Sequence, residues 1–198
     1  MKKLYHAASD RTRTWMLTAL FTGATQQELA VMEKAEFDLE EAKLTHLRNK
    51  TRVQGIYWLP PELVVLLQRH FEKQPGDPLA FRTKEGNPLV TFKDGRQTSD
   101  AVRQAWTVVR QDAELPGALS FKYLRKWLGD WMSRHGGEEM GQVALSHSRQ
   151  TVLARNYTNA RDFDRFNQLQ RQMHAELTMA GFFNVPPTSE EHARDQAA

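Results

Sequence analysis

The spacing of hydrophobic positions along the chain predicts a mostly helical protein with one short run of strands. Spacings of three and four give an apolar face to helices at 10–21, 60–72, 99–112, 120–135 and 161–181. Alternating positions predict three strands, EKAEFD, KLTHLR and QGIYWL, between residues 33 and 59. The predicted fold class is therefore mainly α with a small three-stranded antiparallel sheet, an α+β arrangement.

Turn and cap residues set several boundaries of these elements. Thr22-Gly23 ends the first helix, because glycine accepts the left-handed conformation that follows a helix. TQQE then fits a capping box, in which Thr25 caps the next helix and Glu28 returns to the Thr25 N–H. Residues 75–97 are rich in glycine and proline and predict an irregular connection with a short strand at LAFRT. Two short helices are expected to flank the segment HSRQ.

Length and composition limit the class of protein. The chain of 198 residues is long enough for one well-packed domain, which we place at 1–183, and the polar tail 184–198 is expected to be disordered. The chain has no cysteine and no paired histidine spacing, so we expect no metal site. It also has no apolar run of the roughly 20 residues that cross a bilayer and no signal peptide. We expect a cytoplasmic protein with no membrane partner.

Basic residues cluster at three places along the chain. Residues 43–52 carry four basic residues and no acid, FKYLRK carries three, and residues 147–171 carry five arginines against two aspartates. Any one of these clusters is most simply a solvated surface. Three together favour a polyanionic partner.

Five motifs follow one another at a characteristic spacing. They are TGATQQEL at 22–29, three strands with Lys50 in the turn RNKTR, KYLR at 122–125, LSHS at 145–148, and Tyr157 ten residues after His147. This order resembles the catalytic domain of the tyrosine recombinases, the phage integrase family. The resemblance covers Leu4 to Leu177 and implies the fold of that domain.

The resemblance implies a role for each matching residue. Tyr157 would attack a DNA phosphodiester and form a 3′-phosphotyrosyl link that keeps the bond energy, so no cofactor would be needed. Arg125 and His147 would bind the phosphate, because a guanidinium stays charged and donates two bonds. Lys50 would protonate the leaving oxygen. Lys122 stands where the family usually has a histidine.

The sequence departs from the family pattern at Thr25, where the first catalytic arginine is expected. Loss of one preorganised donor to a transition-state anion typically costs on the order of 10² to 10³ in rate. Arg48, Arg52 and Arg149 are candidates to fill the same space. DNA contacts are expected from five basic residues, namely Arg48, Arg52, Lys126, Arg149 and Arg155. Double-stranded DNA is the expected partner, with a multimer assembled on it.

Simpler interpretations remain open for these residues. Tyr157 fits a half-buried aromatic at a helix end, and Arg125 fits a salt bridge to Glu28 or another carboxylate. Lys50 fits an ordinary turn lysine, and His147 fits a helix cap. The last helix either packs on its own core or docks on a neighbouring subunit.

Three hypotheses for the function follow. They are an active DNA recombinase, a DNA-binding relative that no longer cuts and acts as a regulator or remnant, and a helical nucleic-acid-binding module outside the family.

Overall fold

The computed structural model describes residues 1–48, 54–94, 96–145 and 160–185. The described helices are α1 (Lys2–Ala7), α2 (Asp10–Thr22), α3 (Gln26–Leu29), α4 (Pro61–Glu72), α5 (Ala101–Asp112), α6 (Lys122–Gly136), α7 (Glu138–Ala144) and α8 (Ala160–Met179). The described strands are β1 (Phe37–Asp38), β2 (Lys43–Leu47), β3 (Gln54–Trp58), β4 (Val90–Lys93) and β5 (Arg96–Asp100). The predicted α+β class with a small three-stranded antiparallel sheet is confirmed.

Helix α2 is the centre of the core. Every residue from Thr12 to Thr22 is buried, because α4, α5 and α6 all pack against this helix. Its buried threonines are satisfied locally, since the hydroxyls of Thr14, Thr18 and Thr22 each donate to the carbonyl four residues earlier. The helix can therefore be buried on all sides without leaving these hydroxyls unpaired.

Both predicted features at the end of α2 are present. Gly23 adopts the left-handed conformation at φ 66° and its N–H donates to the carbonyl of Ala19. Thr25 Oγ1 accepts from the N–H of Glu28 at 3.3 Å, and the Glu28 carboxylate accepts from the N–H of Thr25 at 2.7 Å. The capping box fixes the path of the chain from α2 into α3.

The three-stranded sheet has the order β1-β2-β3 with antiparallel pairing. In β2 the side chains of Leu44 and His46 are buried, as the alternating pattern predicts. The first predicted strand, EKAEFD, is largely wrong. Lys34–Glu36 form a 3₁₀ turn with reciprocal Glu33 and Glu36 caps, and β1 is only two residues long.

The connection between α4 and α5 also differs from the prediction. LAFRT forms no strand and takes part only in the isolated bridges Glu33 to Leu79 and Arg82 to Pro88. A two-stranded hairpin, β4-β5, follows where an irregular chain was expected. Helix α1 was not predicted either. It packs against the end of the described chain, where Tyr5 stacks on Phe182 with ring centroids 4.7 Å apart.

The last helix, α8, packs on its own chain. Phe163, Phe166 and Met173 are buried, and α8 lies against β3, α6 and α7. Gln170 is fully buried and accepts from the N–H of Trp58 at 3.1 Å, while its amide donates to the carbonyl of Phe21. Of the two alternatives for this helix, the core-packed one describes the free chain.

Candidate active site

Arg125 lies in the first two turns of α6 and reaches across to the ends of two other helices. Its Nη1 donates to the Gly23 carbonyl at 2.5 Å, and its Nη2 donates to the Leu145 carbonyl. Gly23 follows α2 and Leu145 follows α7. Carbonyls at helix C-termini lack intrahelical donors and carry partial negative charge, so a guanidinium is well placed there.

Arg48 lies directly after β2 and donates to the same two carbonyls and to a third, that of Thr22. Its Nη1 donates to Leu145 at 3.2 Å, and its Nη2 donates to Thr22 at 3.0 Å and to Gly23 at 3.1 Å. The side chain is only 5% exposed. The guanidinium groups of Arg48 and Arg125 therefore lie side by side, and we call these two residues the arginine pair.

Glu28 is the carboxylate that faces the arginine pair. One of its oxygens accepts from the N–H of Thr25, and the other lies 3.4 Å from Nε of Arg48. That second contact is an ion pair without hydrogen-bond geometry, because no described residue forms a hydrogen bond with the buried Arg48 Nε. The salt bridge that the simpler interpretation assigned from Glu28 to Arg125 is made instead to Arg48.

The environment of Arg125 disfavours its charged form. Burial lowers the pKa of the Arg125 guanidinium below its ordinary value, and the neighbouring positive charge of Arg48 lowers it further. Glu28 opposes this shift because its negative charge favours the charged form. An anion bound beside Arg125 would relieve the same unfavourable interaction.

Gly23 lies close to the Ala144 carbonyl and to both guanidinium groups of the arginine pair. A Cβ at this position would lie 2.7 Å from the carbonyl oxygen of Ala144 and 3.5 Å from one nitrogen of each arginine. Its positive φ also disfavours other residues. The glycine is therefore required both for the turn after α2 and for the close approach of the Ala144 carbonyl, whereas the two arginine nitrogens lie at ordinary van der Waals distance.

Thr25 occupies the N-cap of α3 and contributes a hydroxyl rather than a charge. Lys122 and Lys126 are exposed, four residues apart on the first turns of α6.

Six of the predicted residues lie outside the described part of the chain. They are Lys50, Arg52, His147, Arg149, Arg155 and Tyr157.

The described part of the site borders both segments that carry those six residues. Arg48 is the last described residue before 49–53, and Leu145 is the last before 146–159. Lys50 thus follows Arg48 by two positions in sequence, and His147 follows Leu145 by two positions.

Within the described ranges, no group of three or more acidic, histidine or cysteine side chains is placed to hold a metal ion. No helix among them is both long and apolar enough for a transmembrane span.

The sequence prediction did not include the burial of Arg48. It was expected to contact DNA or to fill the space left by Thr25, and the structure places it inside the protein beside Arg125. The signal was present in the alternation of β2, because Leu44, His46 and Arg48 are two residues apart and share the inward face.

Solved structures share this fold, whereas no family model and no curated protein matches the chain. XerA recombinase superposes with a TM-score of 0.58 and 18% identity, over 86% of this chain and 62% of that one. A lambda integrase dimer bound to a COC' core site gives 0.55 and 18%, over 75% and 55% of the two chains. The lambda integrase catalytic core gives 0.54 and 19%, over 76% and 89%.

These similarities establish the architecture. The chain has the fold of the tyrosine recombinase catalytic domain, as the order of its motifs predicted. It spans less than two thirds of the XerA chain and of the lambda integrase chain in the DNA-bound dimer.

Proposed function

We propose that this chain, which has the fold of a tyrosine recombinase catalytic domain, cuts and rejoins double-stranded DNA through a 3′-phosphotyrosyl intermediate. The observation that carries the proposal is the arginine pair. It is fixed on the carbonyls of Gly23 and Leu145, at the border of the segment that carries His147 and Tyr157.

The proposed reaction exchanges one phosphodiester for another. The Tyr157 hydroxyl oxygen bonds to phosphorus and gives its proton to solvent, and the bond from phosphorus to the 5′ oxygen breaks. That oxygen takes a proton from Lys50, which solvent then reprotonates. Attack by a 5′ hydroxyl of a second strand reverses the step and releases Tyr157. The number of phosphoester bonds is conserved, so the reaction needs no cofactor or metal.

The surrounding residues stabilise and orient the phosphate in this proposal. Arg125 donates to the phosphate oxygens on which negative charge builds up, and His147 adds a further hydrogen bond. Lys122 stands near the start of α6, three residues before Arg125, and acts on the same phosphate. Arg52, Lys126, Arg149 and Arg155 contact the DNA backbone and hold it in register.

A multimer on DNA is part of the same proposal. XerA and lambda integrase have this fold, and one lambda integrase structure is a dimer bound to a core site. Strand exchange between two duplexes needs more than one nucleophile, so several copies of the chain would act together. The site of action is cytoplasmic.

A second candidate function is DNA binding without cleavage, as a regulator or remnant. Thr25 favours it, because this position carries an N-cap hydroxyl in place of a guanidinium. The arginine pair favours the active enzyme, because it provides a second guanidinium group beside Arg125.

Covalent trapping tests the proposal. Duplexes selected for binding from a random-sequence pool and nicked at varied positions are incubated with the protein, quenched with detergent and examined for DNA-linked protein. We expect an adduct with the wild type and none with Tyr157→Phe. Tyr123→Phe, at an exposed tyrosine on α6, is the matched control and should keep the adduct. Binding without an adduct in wild-type protein supports the second candidate function.

A further inference from the structure

The arginine pair contains more positive charge than its surroundings neutralise. Arg48 and Arg125 are two cations, and Glu28 is the one carboxylate that the described residues place against them. The other partners of both guanidinium groups are backbone carbonyls. Among the described residues, one unit of positive charge is thus left without a counter-charge in a largely desolvated place, which favours an anionic ligand.

Arg48 is held more tightly than its neighbour. Its Nη atoms donate to three carbonyls, those of Thr22, Gly23 and Leu145, and its side chain is 5% exposed. Arg125 is half-buried and its two bonds leave further N–H groups to donate. Arg125 is thus the group that meets a ligand, while Arg48 stands behind it.

We infer that Arg48, directly after β2, supplies the second guanidinium charge of the phosphate site in place of residue 25. This inference rests on the proposed function for the identity of the ligand, a phosphodiester. Arg48 acts through its charge and through the carbonyls that it shares with Arg125, so it is a positioning residue rather than a group in contact with the phosphate. Glu28 links the two positions, since its carboxylate binds both the Thr25 N–H and Arg48.

A pair of substitutions separates charge from structure. Arg48→Lys and Arg48→Gln both remove the planar fork that spans three carbonyls, but only the lysine keeps the positive charge. A purely structural role predicts equal losses in the two variants. The inference predicts that Arg48→Lys retains much more phosphate affinity and activity than Arg48→Gln.

The first measurement uses inorganic phosphate as the probe and needs no DNA. The midpoint of thermal unfolding is compared in phosphate and in chloride at equal ionic strength, since a ligand that binds only the folded state raises it. We expect Arg48→Gln and Arg125→Gln to lose the same part of the wild-type shift. Arg48→Lys should retain most of it, and Arg134→Gln, which removes a surface pair with Asp130, should retain all of it.

The second measurement is the rate of adduct formation on DNA. We expect Arg48→Gln to lower the rate on the order of 10² to 10³, which is typical for loss of one preorganised charge. Thr25→Arg combined with Arg48→Gln should recover at least about tenfold of that loss, because it returns a guanidinium to the same site. A structural defect at residue 48 would not be repaired in this way.

The outcomes of the two measurements are distinguishable. Absence of a Tyr157-dependent adduct contradicts the proposed function, whereas the phosphate shift still tests Arg48. A folded Arg48→Gln variant that keeps the full phosphate shift overturns the inference, as do equal losses in the lysine and glutamine variants. If circular dichroism shows that Arg48→Gln is unfolded, Arg48→Met replaces it, and a folded Arg48→Lys variant without the shift is then decisive.

Discussion

At the scale of single residues, the site depends on atoms that a sequence pattern does not contain. Arg125 was predicted as a site residue, but its partners are two main-chain oxygens, one 102 positions away. No residue type marks such an acceptor, because every residue has a carbonyl. The inward position of Arg48 was more predictable. Arg48 directly follows β2 and continues the alternation that places Leu44 and His46 on the inward face.

His70 gives a residue-scale prediction about pH. It is 8% exposed on α4, its Nε2 has no hydrogen-bond partner among the described residues, and its ring lies against Phe71 and Phe81. Burial lowers its pKa to about 4, and the positive charges of Arg11, Lys34 and Lys73 act in the same direction, against a backbone hydrogen bond with Ala80. The folded protein therefore keeps His70 neutral where the unfolded chain protonates it.

The sign of the effect follows from this difference. Above pH 6.5 both states are neutral at His70, so it contributes nothing to the pH dependence. Between pH 6.5 and 4 only the unfolded state gains the proton, and the free energy of unfolding should fall by up to about 3 kcal/mol. Urea unfolding of wild type and His70→Leu measures this loss as the difference between the two proteins. A difference that stays constant over this pH range would contradict the assignment.

At the scale of elements, predictability follows the strength of the local signal. Helices α2, α4, α5, α6 and α8 were predicted because each combines an apolar stripe with a cap, proline or glycine at its end. The hairpin β4-β5 was missed because most of its side chains are exposed, so its sequence has no apolar alternation. EKAEFD alternates, but its glutamates cap a 3₁₀ turn instead.

Gln170 gives a prediction about how α8 is attached. Its buried amide joins α8 to β3 through Trp58 and to α2 through the carbonyl of Phe21. Gln170→Ala leaves that carbonyl without its side-chain donor and opens a cavity, so it should lower the free energy of unfolding by about 2 to 3 kcal/mol. Gln168→Ala, at an exposed position on the same helix, should change it by less than about 0.5 kcal/mol. Equal effects in urea unfolding would argue against this attachment.

At the scale of the whole molecule, the basic residues of α6 bear on DNA binding. Lys122 and Lys126 are exposed on α6, the helix that also carries Arg125. If both contact phosphates, affinity should fall steeply with salt, and each lysine-to-glutamine change should reduce the slope of log K against log salt by about 1. Lys3→Gln, an exposed lysine on α1, is the control and should leave the slope unchanged. Fluorescence anisotropy at several salt concentrations measures this, and salt-independent binding would be evidence against phosphate contacts.

The fold of the whole molecule was predictable from the order of its motifs, whereas the chemistry of the segment 146–159 rests on sequence alone. The capping box and the left-handed glycine were predicted from local signals at 22–28, whereas the arginine pair depends on contacts of residues 48 and 125 with carbonyls distant in sequence. Tyr157 joins them in the proposal through its position after Leu145. The central claim is therefore that this particular tyrosine becomes linked to DNA.

Mass spectrometry of the trapped adduct tests that claim most directly. The detergent-quenched protein is digested with nuclease and then with trypsin, which should release the peptide Asn156 to Arg161 containing a single tyrosine. The account predicts that this peptide carries the mass of a 3′-linked nucleotide on Tyr157. An adduct on any other residue, a 5′ linkage, or no adduct on DNA that is bound would contradict it.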